Sequence, residues 1–434
     1  MTPADRSPVW TPPPETRHRR RAAACHSIAD LRAAARRRLP RGVFDFIDGG
    51  AEDERTLGGN AGVFGELRFR PHPLVDVSAV DLATDVLGVS QPTPLVVGPT
   101  GASGFAWPNG DLAIARAAHA ASMPFTLSTS ASVSIEEIAR GTEGRFWFQA
   151  YIFRKRDFTE RLVGRAEAAG AEALMITVDL PVGGNRERDH RNDFSIPFRY
   201  TPRNVADFAL HPGWVLETLR HGMPELANLE GFTASNDVSA VASSVGRNYD
   251  ASFNWDDLAR LRERWPRKLV VKGISRAEDA LRLTRMGVDA VVVSNHGGRQ
   301  LDSALPTLAC LAPVALAVRG RAQVWLDGGI RRGSDIVKAR ALGADAVLLG
   351  RATLMGAAVA GEAGATRAID ILRGELTRAM QLCGTPSFAR IAPDIVAEQD
   401  LRRLFTHEVA TRLLEDDPFG RGDPSTETHE RRAS

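Results

Sequence analysis

Residues 294–302 read Ser-Asn-His-Gly-Gly-Arg-Gln-Leu-Asp, a run that joins an imidazole, two glycines and a guanidinium. The run follows the apolar residues 290–293, which predict a buried strand. His296 can accept a proton near neutral pH, and Arg299 can hold a carboxylate through two parallel hydrogen bonds. The glycines let the backbone approach a flat ligand closely. The combination is more specific than a lone histidine and indicates proton transfer on a small acid.

A carboxylate ends a second apolar run and needs a cationic partner. Asp179 follows the apolar residues 173–178, where an unpaired charge would be costly. A protonated His296 is the natural partner, and we expect the pairing to orient the imidazole and to raise its pKa. Arg186, further along the same loop, either adds positive charge to the site or is a surface arginine in a solvated charge run.

Two glycine-rich turns near the end of the chain are candidates for an anion site. Asp327, Gly328, Gly329 and Arg331 follow one apolar run, and Gly350 and Arg351 follow the next. Backbone N–H groups at such glycines and at a helix N-terminus attract a phosphate, and arginines add charge-assisted bonds. The alternative is ordinary turn glycines beside solvated arginines.

The chain between these motifs alternates short apolar, β-branched runs with helical stretches. The eight runs are residues 95–99, 125–129, 147–151, 173–179, 269–273, 290–296, 322–328 and 346–350. Helical periodicity separates most of them, as in residues 111–121, 158–169, 275–286 and 334–342. This α/β rhythm predicts a (β/α)8 TIM barrel. A doubly wound sheet is the competing arrangement, but residues 98–101 lack the GxGxxG turn that it often carries.

The barrel prediction places polar residues together, because catalytic groups of such barrels lie at the carboxyl ends of the strands. The predicted strand ends carry Pro99, Thr100, Gly101, Ser128, Gln149, Tyr151, Thr177, Lys272 and Ser294. Ser128, Gln149 and Thr177 could bond the polar edge of a flat ring such as a flavin. Lys272 could stabilise a reduced ring or could instead form a Schiff base. With the phosphate site, this set suits a phosphorylated flat cofactor.

Composition defines the domain and excludes several classes of protein. We expect a disordered basic arm at residues 1–26, one domain at 27–415 with an N-terminal helical segment, and a disordered tail at 416–434. A long insertion, residues 199–254, follows strand 4 and holds no clear strand. Lys and Arg (55) nearly balance Asp and Glu (53), which argues against a nucleic-acid binder. Three dispersed cysteines indicate a reducing compartment and no metal cluster.

Membrane topology follows from the same apolar pattern. No run reaches the roughly 18 apolar residues of a membrane span, so we expect a cytoplasmic protein. The insertion mixes apolar with cationic residues and could make a peripheral contact on the inner face of the cell membrane. These residues are Phe198, Tyr200, Phe208, Trp214, Leu216 and Leu219, with Arg199, Arg203 and Arg220. A mobile lid or an oligomer contact is the alternative.

Residues 294–302, with the motifs at 99–101, 149–151, 177–179, 271–273 and 327–333, resemble the active-site signature of the FMN-dependent α-hydroxy-acid dehydrogenases and oxidases. The similarity covers roughly residues 27–383. It implies FMN as cofactor and oxidation of an (S)-2-hydroxy acid to the 2-oxo acid. It also implies a base at His296 with its partner at Asp179, carboxylate ligands at Arg299 and Arg186, a substrate bond from Tyr151, and Lys272 beside the flavin.

Finer similarity points to the mandelate dehydrogenases within that family, through residues 211–214, 221–224 and 250–255. It implies a homo-oligomer, tetramer-like, and Gly101 favours a quinone or other carrier over oxygen as electron acceptor. Phe46 stands where many members have a tyrosine that binds the substrate carboxylate, which favours a larger or more apolar substrate. The alternatives are an L-lactate dehydrogenase, a glycolate- or lactate-type oxidase, and a catalytically weak FMN-binding protein.

Overall fold

A computed structural model describes residues 15–195, 200–229 and 248–421. Eight parallel strands close into a barrel in the order β10-β3-β4-β5-β6-β7-β8-β9, which confirms the predicted (β/α)8 fold. The strands are β1 (Thr84–Val86), β2 (Val89–Gln91), β3 (Leu95–Val97), β4 (Phe125–Ser128), β5 (Phe146–Ala150), β6 (Ala173–Thr177), β7 (Lys268–Ile274), β8 (Ala290–Val293), β9 (Gln323–Asp327) and β10 (Ala346–Leu349). The antiparallel pair β1 and β2 lies outside the barrel.

The barrel strands are buried on both faces, as their unbroken apolar runs require. Alternate residues form a separate cluster inside the barrel, where the rings of Trp147 and Trp325 stack at 5.3 Å. Val86 and Leu87 of the hairpin join this cluster and close the amino end of the barrel. Asp179 and His296 fall just beyond β6 and β8, so both predicted runs extended too far and both side chains lie in loops.

Helices surround the barrel and follow most of its strands. They are α1 (Glu15–Ala23), α2 (Ile28–Arg38), α3 (Arg41–Asp48), α4 (Arg55–Gly62), α5 (Gly110–Ala120), α6 (Ile135–Gly141), α7 (Arg156–Ala168), α8 (Glu187–Arg191), α9 (Pro202–Ala209), α10 (Pro212–His221), α11 (Trp255–Arg264), α12 (Ala277–Arg285), α13 (Thr307–Val318), α14 (Gly333–Ala341), α15 (Arg351–Cys383), α16 (Glu398–Leu404) and α17 (His407–Leu413). Short 3-10 turns cover Val63–Glu66, Ser103–Phe105, Ala227–Leu229, Phe388–Arg390 and Pro393–Ile395. The predicted cap of α2 is present, since Ser27 Oγ accepts from the N–H of Asp30 at 3.1 Å.

The amino-terminal arm is not wholly disordered, and the prediction is wrong for residues 15–23, which form α1. Ala22 and Cys25 are buried, and the ring of His18 meets that of Trp107 edge-on at 5.0 Å. The helix therefore forms because tertiary packing covers one side of it, which its Arg-rich composition conceals. Residues 1–14 lie outside the described residues.

The carboxyl-terminal tail is also ordered beyond the predicted boundary, up to residue 421. Phe419 is buried against Gly343, where an added Cβ would approach its ring to 2.7 Å. Arg421 donates to Gly343 O at 2.6 Å and pairs with Asp345 at 2.9 Å. These contacts fasten residues 416–421 to the amino end of the barrel, and residues 422–434 lie outside the described part.

The insertion after β6 is helical where it is described. It contains α9, α10 and the turn Ala227–Leu229, while residues 196–199 and 230–247, with Phe198 and Arg199, lie outside the described residues. Trp214 points inward, since its Nε1 donates to Phe105 O at 2.8 Å and its ring stacks on Phe208 at 5.4 Å. Trp214 is thus part of the buried core, and Phe208 is half-buried against it. In the described residues, no helix is long and apolar enough to cross a membrane.

The docking of the tail predicts a stability effect. Phe419→Ala should lower the free energy of unfolding by about 3 kcal/mol, because it removes a buried ring from a close-packed contact. Denaturant unfolding followed by far-UV circular dichroism measures the change. Leu414→Ala is the matched control, since Leu414 is 40% exposed and should lose little. Equal, small effects of both variants would show that residues 416–421 do not stabilise the barrel.

Candidate active site

A cavity opens at the carboxyl ends of the barrel strands and brings most of the predicted site residues together. Its lining includes Phe46, Pro99, Thr100, Gly101, Tyr151, Thr177, Arg186, Lys272, His296, Arg299, Asp327, Gly328, Gly329, Arg331, Gly350 and Arg351. Asp179, Ser128, Gln149 and Ser294 are not in the lining. Asp179 and Ser294 contact lining residues from behind, and Ser128 and Gln149 are hydrogen-bonded to each other.

His296 pairs with Asp179, as predicted from the two strand ends. The Nδ1 of His296 lies 2.8 Å from Asp179 Oδ1, and the Nε2 lies 3.5 Å from the Tyr151 hydroxyl. With the proton on Nδ1 donated to the carboxylate, the Nε2 lone pair is left to face the cavity. The geometry therefore fixes both the ring orientation and the tautomer that a general base requires.

The pKa of His296 moves opposite to the prediction. Burial lowers it below its usual 6.5, and the charge of Asp179 opposes this shift without overcoming it. The prediction counted only the carboxylate, while the structure adds the loss of solvent and the nearby charges of Lys272 and Arg299. The consequence suits a base, because a neutral imidazole is available at neutral pH.

Lys272 lies at the centre of a buried charge cluster. Its Nζ is 2.9 Å from Asp327 Oδ2, 2.8 Å from Ser294 Oγ and 4.0 Å from Asp179 Oδ2. Burial alone would lower the pKa of Lys272. The charges of Asp327 and Asp179 raise it by more than burial lowers it, so the net shift is upward. The amine therefore stays charged, which disfavours the Schiff-base alternative, since that reaction needs a neutral amine.

Asp179 stays ionised in this cluster despite its burial. Burial raises its pKa, yet the charges of His296 and Lys272 hold the net value below the usual range. Ser294 links the partners, because its hydroxyl donates to Asp327 at 2.8 Å and accepts from the His296 N–H at 3.0 Å. Ser294 thus orients the histidine and the lysine together.

The loop that carries His296 and Arg299 has an unusual backbone. His296, Gly297 and Gly298 take positive φ angles of 58°, 64° and 74°, and a non-glycine residue in this region costs free energy. Two side-chain amides oppose that cost: the buried Asn60 and the half-buried Asn295 exchange hydrogen bonds of 2.8 and 2.9 Å. Asn295 Oδ1 also accepts from the Gly298 N–H at 3.2 Å. This pairing of α4 with the loop was not predicted, because nothing local links residues 60 and 295.

Arg299 and Arg186 flank the ring of Phe46. Their guanidinium carbons lie 5.3 and 5.7 Å from its centroid, in the range of cation–π contacts. Arg186 also pairs with Asp189 at 2.8 Å, yet it lines the cavity, so the surface-arginine alternative does not describe its position. Burial, with the charges of Arg186 and Arg351, lowers the pKa of Arg299 to about 9. Two cations held this close form a receptor for an anion such as a carboxylate.

Arg351 does more than the predicted phosphate contact. Its guanidinium donates to Ile47 O, Gly49 O and Gly297 O at 2.8–3.0 Å, and Arg299 also donates to Gly49 O at 3.0 Å. Both arginines therefore bind carbonyls at the carboxyl end of α3, where the helix dipole is negative. Burial, with the charge of Arg331, lowers the pKa of Arg351 to about 10. Arg351 thus ties the N-terminal segment to the cavity while keeping its charge at the anion site.

The expected ring-binding residues leave polar atoms without partners. Ser128 Oγ donates to Gln149 Oε1 at 3.1 Å, which fixes the amide. Among the described residues, the buried Gln149 Nε2 and Thr177 Oγ1 have no hydrogen-bond partner. Such orphaned atoms are costly unless a ligand satisfies them. At Gly101, an added Cβ would lie 3.1 Å from Ser130 Cβ, so a larger residue here would require Ser130 to shift.

Several lining residues were missed by the sequence reasoning. Tyr249 and Leu226 reach the cavity from the insertion, and Ser130 and Ala102 reach it from loops after β4 and β3. Ser130 lies two positions beyond a predicted strand end and could have been found. Tyr249 directly precedes the singled-out segment 250–255, but its place in the cavity depends on a long-range contact.

Comparison with known proteins identifies the family. A family model described as FMN-dependent dehydrogenase matches residues 35–398. The chain belongs to this family. The (S)-mandelate dehydrogenase of Pseudomonas putida is 46% identical over 373 residues, covering 86% of this chain and 94% of that protein. The L-lactate dehydrogenase of Caulobacter vibrioides is 42% identical over 377 residues, covering 86% and 98%.

Solved structures agree with the sequence comparison. A crystal structure of the monotopic membrane protein (S)-mandelate dehydrogenase superposes with a TM-score of 0.82 at 45% identity, covering 86% of this chain and 99% of that one. A mandelate oxidase variant bound to (S)-mandelic acid superposes with a TM-score of 0.72 at 35% identity, covering 86% and 98%. The protein is an FMN-dependent α-hydroxy-acid dehydrogenase by family.

The cavity fits the FMN that the family uses. The orphaned atoms of Gln149 and Thr177 suit the polar edge of an isoalloxazine ring, and the charged Lys272 suits its electron-rich end. Arg331, whose pKa is lowered by burial, and the amino ends of α14 and α15 suit the phosphate. The donors thus match both ends of the cofactor.

The lowered pKa of His296 predicts the pH dependence of the reaction. The rate should need the neutral imidazole, so kcat/KM should rise with pH through a value below 6.5 and level off above it. Asp179→Asn should move this acid limb to lower pH, because the carboxylate raises the pKa of His296. It should also lower the plateau. FMN content is checked for each variant, and an acid limb above pH 6.5 that Asp179→Asn moves upward would contradict this account.

Proposed function

We propose that the protein oxidises an (S)-2-hydroxy acid with an aryl side chain, mandelate-like, to the 2-oxo acid and passes the electrons to a quinone or another carrier. The observation that carries the proposal is the His296–Asp179 pair facing the same cavity as Arg299 and Arg186. A base and a carboxylate receptor on one cavity suit removal of two hydrogens from a 2-hydroxy acid.

In the proposed reaction, Arg299 and Arg186 bind the substrate carboxylate and leave the 2-hydroxyl near Tyr151 and His296. His296 Nε2 accepts one proton, and Asp179 stabilises the imidazolium that results. When bound, FMN would supply the two-electron oxidant and would take up the two electrons together with the second hydrogen that leaves the substrate. Lys272 holds positive charge in the cavity, at a site where the reduced cofactor would carry negative charge.

The cavity walls favour an aryl over a methyl side chain. Phe46, Tyr151, Tyr249 and Leu226 supply aromatic and apolar surface, and Ala102 adds a small side chain to the lining. The relatives divide between mandelate and L-lactate dehydrogenases at 46% and 42% identity, so identity alone does not choose. Oxidation of L-lactate or glycolate is the second candidate.

Exposed residues of the insertion support the proposed membrane contact and the proposed electron acceptor. Leu210, which directly follows α9, and Leu219 of α10 are 78% and 77% exposed, and Val205 and Leu216 of the same helices are exposed as well. Arg203 and Arg220 lie on the same two helices. Apolar side chains mixed with cations suit an interfacial position, where a lipid-soluble quinone is within reach. A homo-oligomer stays a prediction.

Anaerobic reduction of the bound flavin tests the activity. We expect (S)-mandelate to bleach the flavin absorbance faster than L-lactate or glycolate, and (R)-mandelate to leave it oxidised. His296→Ala should slow the reduction by roughly 10²–10⁴-fold, because the proton acceptor is lost, while FMN stays bound.

The panel separates the alternatives. Faster reduction by L-lactate would replace the mandelate proposal with the lactate one. An oxidised flavin with every acid would support the catalytically weak FMN-binding protein. A reduced flavin that reacts with oxygen as fast as with a quinone analogue would contradict the proposed acceptor.

Co-sedimentation with vesicles that contain phosphatidylglycerol tests the membrane contact. The double variant Leu210→Ser with Leu219→Ser should lower vesicle binding about tenfold or more. Each leucine that inserts into the membrane contributes about 1.5–3 kcal/mol to the free energy of binding. Leu74→Ser with Leu382→Ser is the matched control, since both leucines are exposed and lie outside the insertion. Equal partitioning of both variants and the wild type would refute the contact and leave a lid or an oligomer contact for this surface.

A further inference from the structure

Arg188 joins the loop after β6 to the end of α3 and to the turn that follows it. Its guanidinium pairs with Asp45 at 3.5 Å and with Asp48 at 3.3 Å, and it also pairs with Glu54. The three carboxylate side chains are 8–19% exposed, so solvent and salt screen these pairs only in part. A guanidinium suits this position because its five N–H groups can serve several acceptors at once. These four residues are called the Arg188 cluster below.

The carboxylates of the Arg188 cluster are themselves held in place. Asp48 accepts two hydrogen bonds from Arg32, at 2.5 and 2.6 Å. Glu54 accepts from the Gly50 N–H at 2.8 Å. Arg188 is therefore bound to groups whose positions other contacts already fix.

The short helix α8, which carries Arg188, needs such contacts. It has five residues and no buried side chain, and a helix of this length is not stable alone. Asn192, directly after the helix, donates to Asp45 at 2.7 Å and adds a second contact with the same carboxylate. Tertiary contacts with α3 and Glu54 therefore help to determine where α8 lies.

The position of α8 matters for the cavity because Arg186 directly precedes the helix. Arg186 lines the cavity, and its ion-pair partner at 2.8 Å is Asp189 of α8. A shift of α8 would move both the backbone of Arg186 and the carboxylate that orients its guanidinium. Arg188 is not in the cavity lining, so it can act on a bound molecule only through its neighbours.

We infer that Arg188 is a positioning residue for binding of the substrate carboxylate, because it holds Arg186 at the cavity through the Arg188 cluster. The inference rests on the proposed function, in which Arg186 and Arg299 bind that carboxylate. Charge-assisted hydrogen bonds depend on distance and angle, so a displaced guanidinium binds less tightly. Loss of Arg188 weakens carboxylate binding and leaves FMN bound.

Binding of phenylacetate to the oxidised holoenzyme tests the inference, since this acid has a carboxylate but no 2-hydroxyl to oxidise. Its Kd is measured from the change in flavin absorbance. Arg186→Gln should raise the Kd by roughly 10-fold or more, and Arg188→Gln by roughly 3- to 10-fold, because part of the same interaction is lost. Arg191→Gln is the matched control and should keep the wild-type Kd. Arg191 also lies in α8, but it is 67% exposed and pairs with Glu187 of the same helix.

Two further measurements separate positioning from a general loss of structure. Glu54→Gln removes a charge at the other end of the Arg188 cluster, keeps an acceptor for the Gly50 N–H, and should also raise the Kd. In the Arg186→Gln background, Arg188→Gln should change the Kd by less than about 2-fold, because the group that it positions is already gone. Independent effects would instead multiply. FMN content and melting temperature are compared first.

Each outcome supports or overturns the inference. An unchanged Kd in Arg188→Gln overturns it, and Glu54→Gln decides in the same way if Arg188→Gln does not fold. Effects that multiply in the double variant overturn it too, as does loss of FMN from Arg188→Gln, since the effect would then extend beyond the carboxylate. In these cases the proposed function stands, provided that Arg186→Gln weakens binding. An unchanged Kd in Arg186→Gln, or no binding by the wild type, would overturn the proposed carboxylate receptor together with the inference.

Discussion

The arrangement of the active site depends on the neutralisation of one buried cation, Lys272, by nearby carboxylates. Lys272 is 4% exposed, and a lone ammonium at that depth would be lost to deprotonation or to unfolding. Asp327 at the end of β9 and Asp179 just beyond β6 supply the compensating charge, and Ser294, just beyond β8, bridges them. Because Asp179 serves both Lys272 and His296, the lysine and the base are held in one arrangement. Removing Lys272 would leave Asp327 without the cation that lies 2.9 Å from it.

The arginines present the opposite situation, a surplus of positive charge. Arg299, Arg331 and Arg351 all have a lowered pKa, since burial and mutual repulsion outweigh the carboxylates near them. Asp48, the acid whose charge acts most on Arg331 and Arg351, already pairs with Arg32 at 2.5 Å. Such a surplus of positive charge needs hydrogen-bond acceptors, and the backbone carbonyls at the end of α3 supply them to Arg299 and Arg351. The substrate carboxylate and the cofactor phosphate would supply the missing negative charge.

The features that could be predicted from the sequence are those that short-range residue patterns encode. The eight strands were found because each is an unbroken apolar run, and His296, Asp179 and Lys272 were found because they end such runs. The pairing of Asn60 with Asn295, the place of Tyr249 and the docking of Phe419 were not found, since each joins residues far apart in the chain. The prediction from composition was wrong for residues 15–23, because α1 is stabilised by the residues that pack against it. The sign of the His296 pKa shift also required the burial that only the fold provides.

The role of His296 as the base depends on its protonation state. Nitrogen-15 NMR of the histidine rings in the holoenzyme at pH 7 measures it directly, with His296→Ala used to assign the signal among the ten histidines. The account predicts a neutral ring with the proton on Nδ1, hydrogen-bonded to Asp179, and an unprotonated Nε2. An imidazolium, or a neutral ring protonated on Nε2, would contradict it, because neither form could accept the substrate proton at the atom that faces the cavity.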